Sequence, residues 1–139
     1  NVQELETAKR LNLPIKYFIL NNGGYVSIRN SQNKHFDKHV ASSEESGVTL
    51  PSIFKTAISY NMKYHRLDNH DNIFENVKKV LNDKGPVVCE VIMPHVHESL
   101  PRNSTHKKED GTFVSLPMED LLPLLDRVEF EENMSVSSD

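Results

Sequence analysis

Four residues, Asn21-Asn22-Gly23-Gly24, break the run "FILNNGGYVSI" (Phe18–Ile28) at the point where an apolar, strand-like segment gives way to what reads as a helix. A carboxamide oxygen and bare peptide carbonyls are hard ligands suited to Mg²⁺ or Ca²⁺, and glycines let the backbone approach a ligand closely or adopt positive φ. The N–H groups at the start of a following helix favour an anion. This combination suits a diphosphate held by a divalent cation at a helix start. The same four residues also suit a plain tight turn, because Asn and Gly dominate turns for conformational reasons alone.

Other residues offer further chemistry, each with a bland alternative. His95 and His97 in "PHVHE" have the i, i+2 spacing that puts both rings on one face of an extended chain, where they could hold a metal with Glu98. Solvated loop histidines, or a substrate-side role past a strand end, are the other readings. His35 and His39 are i, i+4 if a helix reaches that far, and are otherwise exposed helix-end residues. Arg29 and Gln32 suit either a substrate channel or a solvated helix surface. The run "EFEEN" reads as a solvated helix face.

The elements that must position these residues follow from hydrophobic periodicity. "NVQELETAKRLNLP" carries Val2, Leu5, Ala8 and Leu11 at helical spacing and is ended by Asn12 and Pro14. "IKYFIL" (Ile15–Leu20) suits a strand covered on both faces. "YVSIRNSQNKHF" reads as a helix and "DKHVASSEESGVTL" as a loop. "PSIFKTAISYNM" reads as a helix with Pro51 at its first position and Ile53, Phe54, Ala57 and Ile58 as an apolar stripe.

"KYHRLD" is a second strand. "DNIFENVKKVLNDKG" is the clearest helix, with Ile73, Phe74, Val77, Val80 and Leu81 on one face, a start at Asp71 or Asn69, and Lys84 and Gly85 to stop it. "PVVCEVIM" is the third strand. Such alternation indicates right-handed βαβ crossovers and an α/β fold, a parallel sheet with flanking helices. Ligands in such sheets bind beyond the carboxyl ends of the strands, which is where "NNGG" falls. From residue 94 the pattern becomes polar and proline-punctuated. "EDGT" there reads as a turn between two extended pieces, "MEDLLPLLDRVEFEENM" as one or two short acidic helices, and "SVSSD" as a frayed end.

Composition narrows the classes. A chain of 139 residues, 37% hydrophobic and 26% charged, supports one core. A net charge of −4 supplies no basic field for nucleic acid. The lone Cys89 rules out an internal disulfide and a cysteine metal cluster, and its apolar setting makes it a buried small hydrophobe. No apolar run approaches the roughly 20 residues of a membrane span, and no signal pattern opens the chain. The sequence reads as soluble and cytoplasmic.

The segment "NVQELETAKRLNLPIKYFILNNGGYVSIRNSQ" resembles the second half of the cofactor signature of thiamine-diphosphate-dependent enzymes of the acetolactate synthase and pyruvate decarboxylase type. In that signature a Gly-Asp-Gly triplet precedes a strand ending in Asn-Asn. The likeness extends through "GVTLPSIFKTAISYNMKYHRLDN" and "KGPVVCEVIM", and more weakly into the tail. It implies that residues 1–93 are the C-terminal part of a Rossmann-like thiamine-diphosphate-binding domain and 94–139 a C-terminal extension. By position it implies Asn22 (side-chain oxygen) and Gly24 (carbonyl) as Mg²⁺ ligands, the backbone of Tyr25 and Val26 beside the diphosphate, and Asn21 tying the loop. Ser27, Ile28 and Ser31 fall on the substrate side.

The chemistry implied is that of a 2-oxo acid lyase/ligase, a transferase or lyase in class, which decarboxylates its substrate with the cofactor as electron sink. The resemblance also has departures. The Gly-Asp-Gly triplet and the pyrimidine-binding domain that carries the activating glutamate are absent, which implies a fragment that is inactive alone. The partners implied are the missing N-terminal domains of the same enzyme and a homodimer or homotetramer at full length. FAD is possible in the full-length enzyme but is not indicated here. Many relatives have glycine where Val26 stands, so positive φ there would strain it. Ser31 replaces a synthase tryptophan and argues against the standard substrate pocket. The alternative is a non-catalytic Rossmann-like interaction or structural module in which the asparagines only turn the chain.

Overall fold

The computed structural model describes residues 1–36, 38–95, 97 and 100–135. They fall into two compact units, Asn1–His97 and Glu98–Asp139.

The first unit is built on a three-stranded parallel sheet. β1 (Lys16–Asn21) and β2 (Lys63–Leu67) flank β3 (Val87–Ile92), in the order β1-β3-β2. The register pairs Ile19 of β1 and Arg66 of β2 with the same residue, Glu90. A strand bonded on both edges and covered on both faces favours apolar residues, which is why β3 opens with "VVC" and has Glu90 as its one charged residue. Val87, Val88 and Cys89 are fully or almost fully buried. Burial also pushes the Cys89 thiol pKa up, so the group behaves as an inert small hydrophobe.

One face of the sheet packs on α4 (Ile73–Asn82), with Val80 against Leu67, Val87 and Cys89 and with Ile73, Val77 and Val91 around them. The other face packs on α1 (Glu4–Arg10) and α3 (Ile53–Ser59). There Leu5, Ile53 and Ala57 meet Tyr17, Ile19, Met62, Tyr64 and Val88. α2 (Val26–His35) follows β1 directly, and residues 38–52 form a loop broken by a 3₁₀ turn, Glu44–Ser46.

Several expectations shift by a residue or a face. Pro51 does not occupy the first turn of α3: Ser52 is the N-cap, its hydroxyl accepting from Lys55 N–H, and Pro51 lies just before it. The N-cap position of α4 is Asn72, with no side-chain cap hydrogen bond, rather than Asp71 or Asn69. Phe74 and Leu81 leave the expected apolar face of α4 and are exposed, Phe74 at 89%, so the buried stripe narrows to Ile73, Val77 and Val80. Val2 and Leu11 are likewise exposed, and Leu5 and Ala8 alone carry the inner face of α1.

The second unit holds an antiparallel pair, β4 (Thr105–Lys107) and β5 (Phe113–Ser115), turned at the expected "EDGT", and one helix, α5 (Arg127–Met134). Arg127 grips both carboxylate oxygens of Asp120, at 2.8 and 3.1 Å, a bidentate geometry that holds the segment before α5. Most of "SVSSD" (136–139) lies outside the described residues.

At the amino ends of the strands, the Asp83 carboxylate meets the Lys63 ammonium and the His65 ring, while the Lys16 ammonium donates to the carbonyls of Asp83 (2.7 Å) and Gly85 (2.6 Å). The hydrogen bonds from Lys63 and then His65 lower the Asp83 pKa. A carboxylate with a lowered native pKa contributes fully above its unfolded pKa and loses that contribution as pH falls through the native value. Asp83→Asn should therefore lower the thermal midpoint at neutral pH, and the gap from wild type should close as the pH is taken below the ordinary carboxylate range. Calorimetric melts across a pH series check this.

Candidate cofactor-binding site

β1 ends at Asn21, and the chain bends through two glycines in positive φ, Gly23 at +70° and Gly24 at +155°. Those angles let the backbone turn out of the sheet and straight into α2. Val26, flagged as a site of strain, is the first residue of α2, absent from the positive-φ set and buried. The glycines absorb the unusual conformation, so the β-branched side chain costs nothing there.

Three neighbours crowd the bend. A Cβ on Gly24 would stand 2.2 Å from the Ser42 carbonyl oxygen, and that oxygen accepts from Tyr25 N–H at 2.8 Å. Gly24 also pairs with Ser43 in a short antiparallel bridge. A Cβ on Gly23 would fall 2.8 Å from Nε2 of His95, so this imidazole lies directly against the glycine. The third neighbour is Arg29, from the first turn of α2. Its guanidinium is 4% exposed and donates to the carbonyls of His95 and Ser42, the latter at 3.2 Å. Its Nε has no partner among the described residues. Arg29 is thus a buried strut, and not a solvated helix-surface residue.

The polar network on the other side starts from Asn21. Its amide Nδ2 donates to Glu90 at 2.5 Å and its Oδ1 accepts from Gly23 N–H at 3.1 Å. The second Glu90 oxygen accepts the Tyr64 hydroxyl. Burial, and after it the Glu90 carboxylate, push the Tyr64 phenol pKa up to about 12. Asn21 therefore does tie the loop, whereas Asn22 and Gly24 share a small cleft of about 120 Å³ with Leu50 and Pro51.

Two larger clefts meet at Asn21 and Gly23. One, of about 570 Å³, is lined by Arg29, His39, Glu44 and His95, and the other, of about 320 Å³, by Leu50, Tyr64, Arg66 and Glu90. After the bend α2 begins at Val26, and its N-cap residue Tyr25 makes no side-chain cap hydrogen bond. The first N–H groups of a helix have no intrahelical acceptor, so Val26, Ser27 and Ile28 present theirs for an external one, and the helix dipole favours an anion there.

The remaining candidates separate. Ser27, Ile28 and Ser31 are exposed on α2, with Ser27 and Ser31 four apart on one face. Gln32 serves as a staple, its amide donating to the Val40 carbonyl (2.7 Å) and accepting from Val40 N–H (3.1 Å). His35 and His39 do not share a helix face, because α2 ends at His35 and His39 turns back to Asn33. His95 and His97 do not converge on a ligand: His97 Nδ1 bonds the Pro94 carbonyl and its own carbonyl accepts from Asn30, each at 3.2 Å. Glu98 lies outside the described residues, and among those described no three acidic, His or Cys side chains are grouped to hold a metal. Glu90 and Tyr64 were missed by residue-type reasoning. Their one signal was a carboxylate inside the otherwise apolar "PVVCEVIM".

The fold and this rim belong to a known class. Residues 1–91 match the family described as "Thiamine pyrophosphate enzyme, C-terminal TPP binding domain", and the chain is a member of that family. Among its relatives, the mitochondrial acetolactate synthase of Schizosaccharomyces pombe is 28% identical over 101 residues, 70% of this chain and 15% of that protein. The chloroplastic acetolactate synthase 2 of Nicotiana tabacum is 27% identical over 106 residues, 73% of this chain and 16% of that protein. Acetolactate synthase 1 of Zea mays is 26% identical, with 73% and 17% covered. The matched stretch is about a sixth of the length of these relatives.

Gly24→Ala should cost about 1–3 kcal/mol, the range for a residue forced into a sparsely populated conformation, and should also break the Gly24–Ser43 bridge. Gly47 has a positive φ of +101° but nothing within 4 Å of its Cβ position. Gly47→Ala should therefore cost less, and denaturant titration of the two variants isolates the contact with Ser42. Arg29→Met should free the 41–43 and 94–95 segments together, read as faster amide exchange at Tyr25, whose N–H bonds the Ser42 carbonyl.

Proposed function

We propose that this chain is the part of a thiamine-diphosphate- and Mg²⁺-dependent 2-oxo acid lyase/ligase, acetolactate-synthase-like, that holds the cofactor's diphosphate. The observation that carries the reading is the double-glycine bend at the carboxyl end of β1, running into an uncapped α2 in a chain of this family. The residues fit the group. The bend is closed to any Cβ at Gly24, its carbonyls are hard donors, and the helix start offers free N–H groups.

In this reading the Asn22 carboxamide oxygen and the Gly24 carbonyl hold Mg²⁺. The backbone around Tyr25 and Val26 approaches the diphosphate; the Tyr25 N–H is already taken by the Ser42 carbonyl, so the donors for the anion are those that open α2. Ser27, Ile28 and Ser31 border the substrate on the exposed side of α2. When bound, thiamine diphosphate supplies the electron sink for decarboxylation. The chain's own share is to bind and orient, and the buried Arg29 cation adds positive potential beside the anion.

The chain works as part of a longer enzyme, a homodimer or homotetramer. The 139 residues hold no Gly-Asp-Gly triplet for the metal's carboxylate ligand, so the chain is inactive by itself. Exposed Phe18 and Leu20 on β1, and Phe54 and Ile58 on α3, support burial against further domains or a second subunit.

Calorimetric titration of thiamine diphosphate with Mg²⁺ should show binding to the full-length protein and none to residues 1–139. Asn22→Ala in the full-length protein should weaken that binding by about tenfold or more, since even outer-shell partners of a metal act on that scale. Unchanged affinity would remove Asn22 from the metal site. Absence of binding to the full-length protein would leave the asparagines as turn residues of an interaction module. Substitutions at Ile28 or Ser31 should change the ratio of products formed from different 2-oxo acids, measured by chromatography. An unaltered ratio would move the substrate elsewhere.

A further inference from the structure

We propose that Glu90 is a positioning residue for the glycine bend, acting through Asn21. Glu90 is 7% exposed in the middle of an apolar strand, and its two described hydrogen-bond donors, Asn21 and Tyr64, are both neutral. A buried carboxylate is costly, and Val88, two residues earlier on the same face of β3 and 2% exposed, shows that this face of the sheet accepts an apolar side chain.

What the carboxylate supplies is direction. An ionised carboxylate only accepts, so Asn21 must turn its NH₂ toward Glu90 and its carbonyl oxygen toward the loop. That oxygen then receives Gly23 N–H at 3.1 Å. The chain of bonds runs from Tyr64 on β2 through Glu90 on β3 and Asn21 on β1 into the bend, crossing all three strands. Tyr64 occupies a second Glu90 oxygen and so restricts rotation of the carboxylate. A neutral glutamine at 90 would accept and donate equally well, and the Asn21 amide could flip and release Gly23. The role rests on the proposed cofactor reading only in what the bend is for. The tie itself is a property of these residues.

The test uses the full-length protein in four forms: wild type, Glu90→Gln, Asn21→Ala and the double variant. Amide hydrogen exchange, read by mass spectrometry on a peptide spanning residues 20–25, reports the bend. A peptide from α4 reports global stability. Mg²⁺ with thiamine diphosphate is titrated in parallel. Glu90→Gln should speed exchange in 20–25, leave α4 unchanged, and weaken cofactor binding by about tenfold, the scale of lost outer-shell support.

Asn21→Ala cuts the same tie from its other end without touching the core, and should give the same signature. The double variant should be no worse than Asn21→Ala alone, because both substitutions act on one path. Wild-type protection of 20–25 in either single variant, or effects that multiply in the double, would overturn the proposal. If the wild-type protein binds no cofactor while Glu90→Gln still speeds exchange in 20–25, the cofactor reading fails and the positioning role stands.

Discussion

The constraint on which the rest of the first unit depends is that β3 is hydrogen-bonded in parallel register along both edges. Its apolar side chains point to both faces of the sheet, so both faces need cover, and α4 on one side with α1 and α3 on the other supply it for Val87 to Glu90. Parallel pairing also brings the carboxyl ends of all three strands to one rim. The site is at that rim because the strands run the same way, as in other open α/β sheets.

At the rim the backbone is shaped by exclusion more than by attraction. The Ser42 carbonyl and the Arg29 guanidinium leave no room for a side chain at Gly24, and the His95 ring leaves none at Gly23. Arg29 satisfies two carbonyls from segments far apart in the chain, so one cation joins the loop after α2 to the segment after β3. Its burial beside an uncapped helix start places one fixed positive charge and one helix dipole on the same side of the bend. An anion is the ligand such a field favours.

The buried carboxylate works in the opposite sense. Glu90 lines a different cleft from Arg29 and is answered by neutral donors. It does not neutralise the cation; it orients an amide. The two charges have separate partners, so the cation acts on potential and the carboxylate on geometry.

Much of this was legible in the linear chain, and the reason is local. Alternation of helical and apolar periods produced the three strands and the helices α1 to α4 in order, and a turn sequence marked the later hairpin, because period and turn chemistry are properties of neighbouring residues. "NNGG" after an apolar run announced a bend at a strand end for the same reason. What sequence could not decide was which side chains meet. Phe74 and Leu81 fit the apolar stripe of α4 as well as Val77 does, yet the width of the face that the sheet can cover excludes them.

Arg29 read as a surface residue or a channel wall because its partners are the carbonyls of Ser42 and His95, the latter 66 positions away. Glu90 went unmarked within "PVVCEVIM" because the Asn21 and Tyr64 that explain it lie 69 and 26 positions earlier. The sequence by itself determined the order of elements, the place of the bend and the kind of ligand it suits. Only the tertiary structure decided which charges are buried and what they hold, because those contacts come from parallel crossovers that join residues far apart in the chain.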